Sequence, residues 1–191
     1  MNSVLMAYLN ERRSAPILEA PGPGRAQIQE IVTCACSVPD HRRLVPWRVI
    51  AVEDGSRELL GELWARHLAE SVNEAASLMR NVRRAPVILV CVFSPKQQVK
   101  VPRDEQLITA GLASYTILMA ANALGFGGYW RTGRAAYNRP LAEELGLEEH
   151  ESIAGYLYLG TVAEPLTLRP RPTVDKLPLD FAFQASALEC N

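Results

Sequence analysis

The chain carries no excess of charge of either sign. Its 20 Lys and Arg against 21 Asp and Glu leave a formal net charge of −1 over 191 residues. Without a basic field, neither nucleic acid nor an anionic membrane surface is an expected partner. Histidine is scarce: His41, His67 and His150 stand far apart, and no G-x-S-x-G elbow is present. A metal site and a Ser-His-Asp triad are therefore not expected. The four cysteines, Cys34, Cys36, Cys91 and Cys190, form neither a CxxC pair nor a zinc pattern. No secretory signal opens the chain. The expectation is a cytoplasmic protein whose reduced thiols serve as small packing residues. Uninterrupted apolar runs are missing too. The longest candidate, Leu107 to Leu124, is broken by Thr109, Ser114, Thr116 and Asn122 and follows Asp104, Glu105 and Gln106. It reads as a helix buried in a core or at a subunit interface, not as a membrane span.

What is present suits one soluble domain with a tail, α/β or α+β around a single sheet of a few strands. Apolar spacing predicts a helix over Ser3 to Glu11, with Val4, Leu5, Tyr8 and Leu9 on one face, and a second over Arg25 to Ser37. A long helical stretch is expected from Ser56 to Asn81, another from Arg103 to Leu124, ended by Gly125, and a short one at 139–146. Strands are expected at 47–53, at 85–93 (apolar without alternation, hence buried on both faces), at 127–133 and at 152–162. The proline-rich remainder, from Pro165 on, reads as an extended tail.

Three segments join polar chemistry to the ends of elements, where functional groups gather. In "ERRSAP", Arg12, Arg13 and Ser14 offer two guanidinium forks and a hydroxyl, the groups that grip a phosphate. A solvated Arg-Arg at a helix C-terminus explains the pair equally well. In "PDHRRLVPW", His41 sits in a turn beside Arg42 and Arg43, whose charge favours a neutral imidazole. "GFGGYWRTG" lets backbone approach a flat or phosphorylated ligand, or simply stops a helix and starts a strand. It follows a helix, so the dinucleotide fingerprint does not apply.

In order, "NERRSAP", "VPDHRRLVPWRVIAVE", "VPRDEQLITAG", "ALGFGGYWRTG" and "GYLYLGT" resemble the FMN-dependent nitroreductase family, in its short, minimal branch, over about residues 3–162. The resemblance implies an α+β, nitroreductase-like fold with a small central sheet flanked by helices, built as an intertwined homodimer. It implies an FMN-binding domain over residues 1–164 and a tail over 165–191. The implied activity passes a hydride from NADH or NADPH through FMN to a nitroaromatic, quinone or similar small-molecule acceptor, in ping-pong fashion. By the same resemblance, Arg12, Arg13 and Ser14 hold the FMN phosphate and ribityl chain. Ser37 and His41 approach the flavin, with Ser37 standing where many relatives have arginine. Trp130, Arg131 and Thr132 line the ring or phosphate side. Ala120, Ala121, Asn122, Ala123, Leu124 and Gly125 match a stretch assigned to the nicotinamide nucleotide, and Arg169 or Arg171 is a further candidate for the phosphate. Two other readings use the same residues: an FMN carrier or sensor without reductase turnover, and a helical module whose arginines bind an acidic partner.

Overall fold

The computed structural model describes residues 4–97 and 100–163. The expected tail, with Arg169, Arg171 and Cys190, lies outside the described residues.

The apolar stretches that drive the fold are β3 (Val87–Phe93) and β5 (Ser152–Val162). Every residue of β3 is buried, as a strand covered on both faces requires. β5 is the hub of an all-antiparallel sheet. It pairs with β3 along one edge, with β4 (Gly127–Arg131) from Tyr156 to Gly160, and at Thr161 and Val162 with the two-residue β1 (Leu18–Glu19). β2 (Trp47–Glu53) closes the other side against β3. Side chains alternate across this sheet and feed two cores. On one face Leu89, Cys91, Leu157 and Leu159 meet α2 (Arg25–Cys34) and α5 (Arg103–Ala123) through Ile31, Ala113 and Ile117. On the other, Ile88, Val90, Tyr156 and Tyr158 meet α3 (Ser56–Leu68), α4 (Val72–Val82), α6 (Gly133–Tyr137) and α7 (Arg139–Glu144).

Several expectations need correction. The stretch 56–81 is two helices. Ala69 turns extended and Ser71 caps α4 by accepting from the Glu74 amide (3.2 Å), which satisfies a first-turn donor and so favours a new start over continuation. The helix at 25–37 ends as α-helix at Cys34 and finishes as one 3-10 turn over Ala35–Ser37. The strand expected over 127–133 stops at Arg131, where α6 takes over. Cys34 and Cys36 are exposed rather than packed, whereas Cys91 is buried and burial pushes its thiol up to about 12. α1 (Val4–Glu11) keeps Val4, Leu5 and Leu9 exposed. Its Tyr8 hydroxyl donates to the Met119 carbonyl near the C-terminal end of α5.

One ion pair with a buried carboxylate, Arg48–Glu151, fixes the entrance to β5. Arg48 on β2 grips Glu151 with both arms, Nε to Oε1 at 2.8 Å and Nη2 to Oε2 at 2.7 Å. The Glu148 amide donates to the same carboxylate at 3.0 Å. That cation, ahead of the amide, holds the Glu151 carboxyl down at about 2 against the pull of burial.

Candidate functional site

A cleft of about 440 Å³ opens on the α3/α4 face of the sheet. One wall is Trp64 and Leu68 of α3 with Glu74, Leu78 and Asn81 of α4. The other is the end of β4 and the start of α6, from Tyr129 to Ala135. The Trp64 and Tyr129 rings and two leucines give it apolar walls, and Glu74, Asn81, Arg131, Thr132 and Arg134 make it as polar as it is apolar. That is the composition of a small-molecule site.

Arg131 is the cation of this cleft. Its guanidinium carbon lies 5.5 Å from the Tyr129 ring centre and 5.6 Å from that of Tyr158, a cation–π seat that fixes the side chain. Among the described residues no carboxylate pairs with it. Burial pushes the Tyr158 hydroxyl up to about 12, with Arg131 and then Arg84 drawing it back. Arg134 spans the mouth: it donates to Glu74 at 2.9 Å and to the Leu68 carbonyl. Glu74 also accepts from the Glu70 amide at 2.8 Å, the first cause of its lowered carboxyl pKa.

The pleat of β4 sends neighbours to opposite faces. Trp130 turns toward the α2/α5 core, where its Nε1 donates to the Ala154 carbonyl at 3.3 Å. Its ring fills the space above Gly155: a Cβ there would lie 2.0 Å from Nε1. Arg131 faces the cleft instead. Thr132 is exposed at its rim.

The "RRS" segment lies along the outer edge of β4. Ser14 bridges to Gly128 in parallel, and the Ala15 amide donates to the Gly128 carbonyl at 3.0 Å. Arg12 and Arg13 are half-buried, and Arg13 donates to the carbonyls of Asn10 (2.6 Å) and Arg12 (3.0 Å). Residues Ala120 to Gly125 are the last turn of α5 and its stop. The Gly125 amide donates to Asn122 and that of Phe126 to Ala121, with Gly125 at φ 87°, a conformation glycine adopts freely.

Ser37 and His41 sit elsewhere. Ser37 is exposed and donates to the Cys34 carbonyl at 2.8 Å. His41 Nδ1 is 3.0 Å from Glu105 in the first turn of α5, and Thr109 donates to the Pro39 carbonyl at 3.2 Å. Tyr8 meets the same helix at Met119. The ten residues from Thr109 to Met119 span about 15 Å of helix. A single chain thus brings Arg12–Ser14 beside the start of β4, near the Met119 end of α5, and keeps His41 at the other end of that helix. Sequence reasoning missed Trp64, Leu78 and Asn81 as cleft walls. They are ordinary helix residues whose role arises only when α3 and α4 fold over β4.

The sequence model of the nitroreductase family matches residues 9–161. The chain is 38% identical over 159 residues to "Putative NAD(P)H nitroreductase YdjA" of Escherichia coli (strain K12), covering 82% of this chain and 87% of that one. A similarly named protein of Haemophilus influenzae is 31% identical over 163 residues, 83% and 89% of the two chains. Among solved structures, a nitroreductase-like family protein from Bacillus cereus superposes with a TM-score of 0.82 at 19% identity, over 95% of this chain and 98% of the other. A nitroreductase in complex with FMN from Desulfovibrio desulfuricans gives 0.74 at 20% identity, over 96% and 100%. Fold and family match converge: the chain belongs to the nitroreductase family.

Proposed function

We propose that this chain is an FMN-dependent NAD(P)H oxidoreductase that works as a homodimer. The observation that carries the reading is the cleft, with its aromatic walls and one cation, Arg131, that no carboxylate among the described residues neutralises. A planar ring with a polar edge fits that donor set. Arg12, Arg13 and Ser14 grip the phosphate, and Asn81, Arg131 and Thr132 meet the ring. The three residues from Gly128 to Arg131 span about 10 Å, a gap that a ribityl chain bridges. When bound, FMN supplies the redox chemistry, taking a hydride from NAD(P)H and passing it to a nitroaromatic, quinone or similar acceptor by a ping-pong sequence. The chain's own part is electrostatic and steric. Arg131 favours the negative charge that gathers on reduction. Trp64, Leu68 and Leu78 keep water from the ring, which strengthens that effect.

The dimer is supported by α5. Ile108, Leu112 and Tyr115 recur at i, i+4 and i+7 and are exposed, with Leu107 beside them and Val4, Leu5, Met6 and Leu9 on α1. Such a contiguous apolar surface marks an interface, and a two-fold one is the commonest. The second copy offers its Ser37 and His41 to the cleft that one chain leaves without them. The exposed end of Ala120–Gly125 contributes a nicotinamide-nucleotide contact in the same reading.

The test is a flavin spectrum followed by anaerobic titration with NADPH or NADH. The protein should purify yellow, bleach with reductant and recover with a quinone. Arg12→Ala with Arg13→Ala should weaken FMN binding at least tenfold, since one charge-assisted hydrogen bond contributes about 1.5–3 kcal/mol. Protein that takes up no added FMN refutes the reading. Bound FMN without turnover supports a carrier or sensor.

A further inference from the structure

The turn from Pro39 to Pro46 does more than display His41. Three of its non-glycine residues lie in the left-handed region: Arg42 at φ 66°, Arg43 at 53° and Val45 at 46°. Such positions are unfavourable, least suited to a β-branched residue, and persist only where the surroundings over-determine them. Here they do. Asp40 accepts from the Leu44 amide with Oδ1 (3.1 Å) and from the Val45 amide with Oδ2 (2.7 Å). The Arg43 amide donates to the Asp40 carbonyl at 3.1 Å. Thr109 and Glu105 tie Pro39 and His41 to α5.

The strained turn thus carries two consecutive exposed arginines, Arg42 and Arg43. Arg25, Arg48, Arg66, Arg83, Arg134 and Arg139 each pair with a glutamate. Arg42 and Arg43 pair with none among the described residues. Asp40, the acid beside them in sequence, has both oxygens committed to backbone amides, and Glu105 is taken by His41. Two consecutive exposed arginines in no salt bridge among the described residues leave their guanidinium forks available to a dianion with several equivalent oxygens, which is a phosphomonoester.

We propose that Arg42 and Arg43 are a phosphomonoester seat for the 2′-phosphate of NADPH, and so set a preference for NADPH over NADH. The inference rests on the reductase reading above. The phosphate of FMN is the other source of this chemistry, but the reductase reading already gives it cations of its own, Arg12 and Arg13.

The experiment compares the wild-type holoprotein with Arg42→Ala/Arg43→Ala and with Arg42→Lys/Arg43→Lys. Wild type should oxidise NADPH with at least tenfold higher kcat/KM than NADH. The alanine pair should lose about tenfold to a hundredfold with NADPH, chiefly through KM, and stay within twofold with NADH, as the loss of solvated charge-assisted contacts implies. The lysine pair should recover part of the preference. By calorimetry, 2′,5′-ADP should bind wild type more tightly than 5′-AMP does, and the alanine pair should erase the difference. FMN content and melting temperature should not change. Equal loss with both reductants, an unchanged NADPH constant, or 2′,5′-ADP binding that survives the substitutions overturns the seat. A fall in FMN content assigns the turn to the flavin phosphate and overturns it too. Wild type that binds no FMN and oxidises neither reductant sinks the reductase reading, and the 2′,5′-ADP comparison then still decides for or against the seat.

Discussion

The clasp between Arg48 and Glu151 gives a pH-dependent stability that can be worked through. The Glu151 side chain is 4% exposed, and its carboxyl falls from the ordinary 4.5 to about 2 in the folded chain. A shift of about 2.5 units at about 1.36 kcal/mol per unit is roughly 3 kcal/mol. Arg48 is 40% exposed, so solvent screens part of this and about 2–3 kcal/mol is the working figure. The sign follows from the direction. The folded carboxyl is more acidic than the unfolded one, so the contribution is complete above about 4.5 and fades as the pH falls toward 2. Glu151→Gln keeps the shape and removes the charge. At pH 7 it should lower the unfolding free energy by about 2–3 kcal/mol, or the melting temperature by about 4–12 °C for a chain of this size. At pH 2.5 the two proteins should differ by less than about 1 kcal/mol. Urea unfolding at both pH values and at one fixed protein concentration measures this directly, since association would otherwise shift the midpoint. A gap that does not close with acid, or one below about 0.5 kcal/mol at neutral pH, refutes the assignment of the stabilisation to the ionised pair. Arg48→Met should be worse than Glu151→Gln at pH 7, because it leaves a buried carboxylate without its cation.

Three other substitutions probe separate parts of the structure. Gly155→Ala puts a methyl where the Trp130 indole lies, 2.0 Å from Nε1; it should destabilise by about 1–3 kcal/mol and shift the tryptophan emission, and a neutral result would mean the ring is not seated there. Val45→Gly should raise stability by about 0.5–1 kcal/mol in thermal melts, since relief of the left-handed penalty at φ 46° exceeds the extra chain entropy of glycine. Ile108→Glu, on the exposed stripe of α5, should convert a dimer to a monomer by light scattering, and a dimer that survives it would place the interface elsewhere.

The strands were easy to read because burial dictates their residues. β3 is apolar throughout, and β5 begins and ends where its pattern does. The break between α3 and α4 was also written in the chain, as the capping pair Ser71 and Glu74, but no glycine or proline announced it. β1 carries no signal of its own. It is two residues long and exists because Leu18 and Glu19 reach Val162 and Thr161. At the site, the arginines near the N-terminus and the "WRT" segment drew notice as clustered polar groups at element ends. The cleft itself was hidden, since Trp64, Leu78 and Asn81 acquire a common surface only by tertiary approach. The strain at Arg42, Arg43 and Val45 was hidden as well, because nothing in "HRRLV" requires a left-handed backbone until Asp40 imposes it.

That β5 is the hub of the sheet and also the last strand among the described residues has a consequence for how the chain is made. The β2–β3 ladder can form as soon as those segments leave the ribosome, but Val87–Phe93 then waits for a partner some 65 residues downstream. β4 has no sheet to join until Tyr156 to Gly160 emerge, so the wall of the cleft that β4 supplies forms only after β5 has been made. A truncated product ending before residue 152 would keep a wholly apolar strand with one edge unpaired, the kind of edge that aggregates.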